Sequence, residues 1–156
     1  MPEPEREVLA ALRAKKMTLA TAESCTGGWL GKRLTDIPGS SEAYLGGVIS
    51  YTDGVKAKLL GVRRESLERE GAVSETVARE MAEGARRALG ADFAAATTGL
   101  AGPDGDGSGK PVGLVYIAVA GPDGCECRSC RFSGDREAVR REACRTALEM
   151  LLEAIQ

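Results

Sequence analysis

Short apolar, β-favouring runs alternate along this chain with segments of helical period, until a hairpin breaks the alternation near the C-terminal end. The spacing predicts a helix over 4–16, with Val8, Leu9 and Leu12 on one face and Lys15-Lys16 in its last turn. A short strand is expected over 17–22 and a second helix over 26–35, ended by Asp36-Ile37-Pro38-Gly39. Residues 46–51 read as a buried strand, and Asp53 as the cap of a helix carrying Val55, Leu59 and Leu60 to Gly61. Ser74 is the expected cap of a helix over 75–89, with Val77, Met81, Ala85 and Leu89 at helical period and Gly90 as the stop. Strands follow at 93–98 and 112–120, joined by a loop rich in glycine and aspartate. Gly121-Pro122-Asp123-Gly124 is a turn with proline second, so residues 125–132 return as the hairpin partner. Asp135 then caps a last helix carrying Val139, Ala143, Leu148, Leu151, Leu152 and Ile155. The pattern implies an α/β fold: a mixed sheet with helices on its faces.

At 156 residues, residues 1–156 are expected to form one domain with a proper core. The chain has no histidine. That excludes a histidine-assisted serine triad and histidine-bearing metal sites, and leaves proton transfer to Lys, Tyr, Asp, Glu or Cys. The net charge is −2, with arginines scattered among acids, so no nucleic-acid partner is expected. No apolar run is long enough to span a bilayer, so no membrane partner is expected. The acidic start, Met1-Pro2-Glu3-Pro4-Glu5, does not suit a secretory signal or transit peptide, and a cytoplasmic location is expected. The five cysteines are then expected as reduced thiols.

Four groups of residues could carry chemistry. The first is Thr21-Ala22-Glu23-Ser24-Cys25-Thr26-Gly27-Gly28. Between a predicted strand and a predicted helix, it can present Ser24 as a nucleophile and backbone N–H groups to an oxyanion or phosphate. Equally, Ser24 or Thr26 can be a simple cap. Cys25 is a rival nucleophile, because a thiol at a helix start can become a thiolate. The second is Tyr51 and Lys56, which can converge as a hydroxyl relay and a general base, unless Lys56 is a solvated surface lysine as Lys58 is expected to be. The third is the 99–111 loop with the strand end before it, whose glycines can aim N–H groups at an anion. Its Asp104, Asp106, Ser108 and Gly109 fall in partial register with a calcium loop, but Val115 stands where the bidentate glutamate belongs. The fourth is Arg136 and Arg140, four apart on one helical face, either able to fork onto a carboxylate or phosphate. Cys125, Cys127 and Cys130 invite a zinc reading, yet a strand puts the first two on one side and the third on the other. No metal is expected.

Several blocks occur together. They are Ala22-Glu23-Ser24-Cys25-Thr26-Gly27-Gly28, Asp36-Ile37-Pro38-Gly39-Ser40-Ser41 and Gly71-Ala72-Val73-Ser74-Glu75. Thr98-Gly99-Leu100-Ala101-Gly102-Pro103-Asp104-Gly105, Lys110-Pro111-Val112-Gly113 and the stretch from Phe132 to Arg136 follow. In these blocks the chain resembles the C-terminal domain family of the competence/damage-inducible protein CinA, over nearly its whole length. The resemblance implies a three-layer α/β/α fold and, as for many members, deamidation of nicotinamide mononucleotide (NMN) in pyridine nucleotide salvage. Longer members carry a further N-terminal domain, so the expectation covers the amidase half alone. By the same resemblance the catalytic residues fall on Ser24, Tyr51 and Lys56. Substrate binding falls on Cys25, Thr26, Gly27, Gly28, Thr98, Gly99, Gly102 and an arginine, with Arg140 favoured over Arg136. No cofactor is implied, and exposed strand edges with the family's habit suggest a homodimer. The alternative from another class is a non-enzymatic nucleotide-binding or interaction module linked to competence or DNA damage.

Overall fold

The structure, a computed structural model, describes residues 3–156. It is a three-layer α/β/α sandwich. The elements are α1 (Pro4–Lys15), β1 (Leu19–Glu23), α2 (Trp29–Thr35), a 3₁₀ turn (Ser40–Glu42), β2 (Tyr44–Ile49), α3 (Asp53–Leu60), α4 (Arg64–Glu70), α5 (Glu75–Leu89), β3 (Phe93–Gly99), β4 (Leu114–Gly121), β5 (Gly124–Arg131) and α6 (Arg136–Ile155). The five strands run in the order β2-β1-β3-β4-β5. β1 pairs parallel with β2 and β3, whereas β3–β4 and β4–β5 are antiparallel, so the sheet is mixed.

The period of two along a strand divides the core. Phe93 and Ala95 face one layer with Val8, Leu12, Leu30, Leu148 and Leu151, from α1, α2 and α6. Ala94 and Ala96 face the other, with Leu60, Val77, Met81 and Ala85 from α3 and α5. Alanines on that second face let α5 sit close to the sheet. Close approach extends to Gly84, where a Cβ would lie 1.9 Å from the Leu60 carbonyl oxygen. Among the described residues, no helix is long and apolar enough to cross a membrane.

Two of the three expected caps are present. Ser74 Oγ accepts from the Val77 N–H at 3.3 Å, and Asp135 Oδ1 from the Ala138 N–H at 2.9 Å. Asp53 is instead the first residue of α3, and Thr52 is its cap. Residues 46–51 were expected as a buried strand; β2 runs from Tyr44 to Ile49 as an edge strand, alternately half-buried and exposed. The helix expected from residue 26 starts at Trp29, because Gly27 and Gly28 take positive φ and turn the chain first. α4 is a helix that the pattern did not predict: Arg64-Glu65-Ser66-Leu67-Glu68-Arg69-Glu70 has one large apolar residue and so no hydrophobic period.

Crossovers position the site. The chain leaves β1 for α2 on one face, and leaves β2 for α3, α4 and α5 on the other before returning as β3. The carboxyl ends of these three parallel strands open a crevice between diverging connections, where ligands bind in open α/β sheets.

Candidate active site

Ser24 follows β1 directly, and its N–H donates to the Thr97 carbonyl at 3.0 Å. The Gly27 N–H closes a turn on the Ser24 carbonyl at 3.1 Å. The carboxyl group of Glu23, 2% exposed, sits beneath that turn. It accepts from Thr26 Oγ1 at 2.6 Å and from the N–H groups of Gly28, Leu30 and Gly31 at 3.2, 2.9 and 2.9 Å. Glu23 therefore caps α2 from within the core and ties it to the nucleophile turn. Removing it strands four buried or half-buried donors. Glu23→Ala is expected to cost about 3–5 kcal/mol of stability, read as a lowered denaturation midpoint at unchanged slope.

Lys56 is in the first turn of α3 and only 1% exposed. Its Nζ lies 3.0 Å from Ser24 Oγ and 2.8 Å from the Ser50 carbonyl. Burial disfavours the ammonium and pushes its pKa below the ordinary lysine value, against the opposing pull of Asp53 and Cys25. Lys56 is thus a buried amine on a serine hydroxyl, and not the solvated lysine that Lys58 is. Nζ donates to both oxygens; once deprotonated, the amine has a lone pair for the Ser24 Oγ proton.

The pair opens into a pocket of about 290 Å³, also lined by Cys25, Tyr51, Thr98, Gly99, Gly102 and Arg136, with Asp53, Asp104 and Asp106 at its edges. Several expected residues take other places. Tyr51 is 58% exposed at the pocket mouth, and its hydroxyl accepts from Arg136 Nη2 at 3.2 Å instead of bonding Ser24 or Lys56. Thr26, Gly27 and Gly28 do not line the pocket: Thr26 bonds Glu23 and Thr97, and the glycines shape the turn. The two arginines part company. Arg136 lines the pocket and donates to the Gly102 carbonyl at 2.6 Å. Arg140, favoured from the resemblance, lies behind the turn and donates to the carbonyls of Cys25 and Thr26.

Cys25 is 6% exposed, and burial pushes its thiol up to about 11. Burial thus disfavours the thiolate that the rival reading needs. The helix start expected to hold an oxyanion is also differently occupied. Glu23 takes the Gly28, Leu30 and Gly31 N–H groups, and Ser24 takes that of Gly27. Among the described residues, the N–H groups of Cys25 and Thr26 bond no backbone carbonyl, and that of Cys25 lies against its own sulfur. The 99–111 loop is pinned by Lys110 Nζ, which donates to the Glu70 and Val73 carbonyls at 2.6 and 2.5 Å. On β5, Cys125 and Cys127 pack toward α5 while Cys130 packs on the opposite face, so the three sulfurs cannot share a metal.

Fold and site together define an α/β/α domain with a buried serine–lysine pair at the carboxyl ends of its parallel strands. The chain belongs to the CinA C-terminal domain family, whose model matches residues 2–155. A CinA-like protein of Synechococcus sp. (strain RCC307) is 59% identical over 83% of this chain, and the match spans 31% of that longer protein. The nicotinamide-nucleotide amidohydrolase PncC of Escherichia coli (strain K12) is 50% identical over 93% of this chain and 88% of its own length. The crystal structure of competence/damage inducible protein CihA from Agrobacterium tumefaciens superposes with a TM-score of 0.95 at 39% identity, covering 100% of this chain and 98% of that one.

Proposed function

We propose that this chain is a nicotinamide-nucleotide amidohydrolase, converting NMN and water to nicotinate mononucleotide and ammonia. The observation that carries the reading is the 3.0 Å contact between Lys56 Nζ and Ser24 Oγ, both groups withdrawn from water. The 50% identity to a relative of that name, over nearly the full length of both chains, supplies the substrate class.

Neutral Lys56 takes the Ser24 proton as Oγ attacks the carboxamide carbon. The N–H of Cys25, which lines the pocket beside Ser24, receives the oxyanion. The Lys56 ammonium then returns the proton to the departing nitrogen, ammonia leaves, and an acyl ester remains on Ser24. Water, deprotonated by the same amine, attacks the ester, and Ser24 recovers its proton as nicotinate mononucleotide departs. The pyridinium charge draws electrons from the carboxamide and activates it. Arg136 at the mouth binds the 5′-phosphate, with Tyr51 orienting its guanidinium. Asp53, Asp104 and Asp106 provide a negative border for the cationic ring.

The pH dependence follows from the direction of the Lys56 shift. Only the neutral amine accepts a proton, so kcat/KM rises with pH as Lys56 deprotonates and then levels. Because burial lowers that pKa, the rise falls below the ordinary lysine range. A pH–rate profile that is flat or falls toward alkaline pH contradicts the assignment. Arg136→Ala is expected to raise KM for NMN by about 10–100-fold with kcat nearly held, the pattern of lost ground-state binding to an ion.

Ammonia release from NMN by chelator-treated protein tests the reading. Release at enzymatic rates supports it. A protein whose melting point NMN raises, but which releases no ammonia, is a binding module instead.

A further inference from the structure

Arg140 does not face the pocket, yet it grips the turn that carries the nucleophile. Its Nε donates to the Cys25 carbonyl at 3.0 Å, and its Nη2 to the Thr26 carbonyl at 3.1 Å. The guanidinium lies 5.7 Å from the Trp29 ring centroid, which holds it in place from its other side. A Cβ on Gly27 would come within 3.0 Å of Nη2, so glycine there gives the fork its room.

This grip has consequences on the opposite side of the turn. In a trans peptide the C=O and N–H point in opposite directions. The carbonyl of the 26–27 peptide meets Arg140, and its N–H, that of Gly27, points back to the Ser24 carbonyl at 3.1 Å. The carbonyl of the 25–26 peptide meets Arg140 as well, so two successive peptides of the turn are held by one guanidinium. A cation at the carbonyl end of aligned peptides also strengthens the positive potential at their N–H end.

We infer that Arg140 is a positioning residue for the nucleophile turn: by clamping the Cys25 and Thr26 carbonyls it fixes Ser24 Oγ, and the Cys25 N–H beside it, where the tetrahedral intermediate forms. The inference rests on the proposed amidase reading and assigns Arg140 a role separate from substrate binding. Arg136, one turn earlier on α6, faces the substrate and acts on the ground state. Arg140 acts on the transition state, through two carbonyls.

Steady-state kinetics with NMN on wild type, Arg140→Ala and Arg140→Lys separates these roles, with nicotinate mononucleotide affinity measured by calorimetry. Arg140→Ala is expected to lose roughly 10²-fold in kcat, as for a misplaced catalytic group, with KM and product affinity held within about twofold. Arg140→Lys keeps the cation without the fork and should fall between. A fluorophosphonate probe gives a readout independent of NMN. Ser24 Oγ bonds to phosphorus, fluoride leaves, Lys56 takes the proton, and the phosphoryl oxygen occupies the oxyanion position. Its labelling rate should fall in parallel with kcat. A raised KM at unchanged kcat would make Arg140 a substrate ligand and overturn the inference, as would unchanged kcat and labelling. If Arg140→Ala does not fold, Arg140→Lys is judged on the same two rates. Wild type that labels at Ser24 but releases no ammonia from NMN sinks the substrate reading alone, and Arg140 is then judged on labelling. Wild type inert to both overturns the two together.

Discussion

Lys56→Met is expected to lose roughly 10³-fold or more in kcat for ammonia release from NMN, with the protein still folded. Methionine fills nearly the same buried volume, so the packing of α3 on α5 survives. What disappears is, among the described residues, the only amine within hydrogen-bond reach of Ser24 Oγ. That amine is asked to do two jobs, removing the serine proton and delivering one to ammonia, so its loss affects both halves of acylation. The structural cost is one unpaired carbonyl, that of Ser50, about 1–3 kcal/mol, partly offset because a desolvated amine is also removed. Lys56→Arg is expected to fail equally, since a guanidinium does not deprotonate near neutrality. Activity of Lys56→Met within tenfold of wild type would remove Lys56 from the chemistry.

Ser24→Ala has the largest expected effect, on the order of 10⁴–10⁶-fold in kcat. The substitution is structurally mild. The Ser24 backbone keeps both of its bonds, to Thr97 and Gly27, and the Oγ makes a single recorded side-chain contact, to Lys56. The ground-state binding proposed for Arg136 and the pocket walls is untouched, so NMN should still raise the melting temperature of the variant. Loss of turnover with retained binding separates a missing nucleophile from a collapsed site.

How much of this was legible in sequence depends on what fixes each feature. Ser74, Asp135 and Gly90 were readable because caps and stops act through their own neighbouring backbone. The hairpin at Pro122-Asp123 was readable for the same reason. Ser24 and Lys56 could be named as candidates, and the family resemblance joined them. Their contact spans 32 positions and needs β1, β2 and α3 in place, which no local pattern contains. Glu23 was passed over as one letter of a motif, although an acid closing an otherwise uncharged strand just before a serine was the available signal. Arg136 and Arg140 looked equivalent because helical spacing gives a shared face and nothing more. One turn of rise, about 5.4 Å, carries the first over the pocket mouth and the second behind the turn. Tyr51 was grouped with Ser24 by resemblance; it lines the same pocket from its rim, a placement that depends on where β2 ends and that no local pattern contains.

The most direct measurement is ammonia release from NMN by purified, chelator-treated wild type and Ser24→Ala side by side, with NMN-dependent melting of both. The account predicts turnover by wild type, none above background by Ser24→Ala, and a similar NMN-induced rise in melting temperature for the two. Retained turnover in a folded Ser24→Ala would contradict the serine–lysine mechanism and return the search to the other groups that line the pocket.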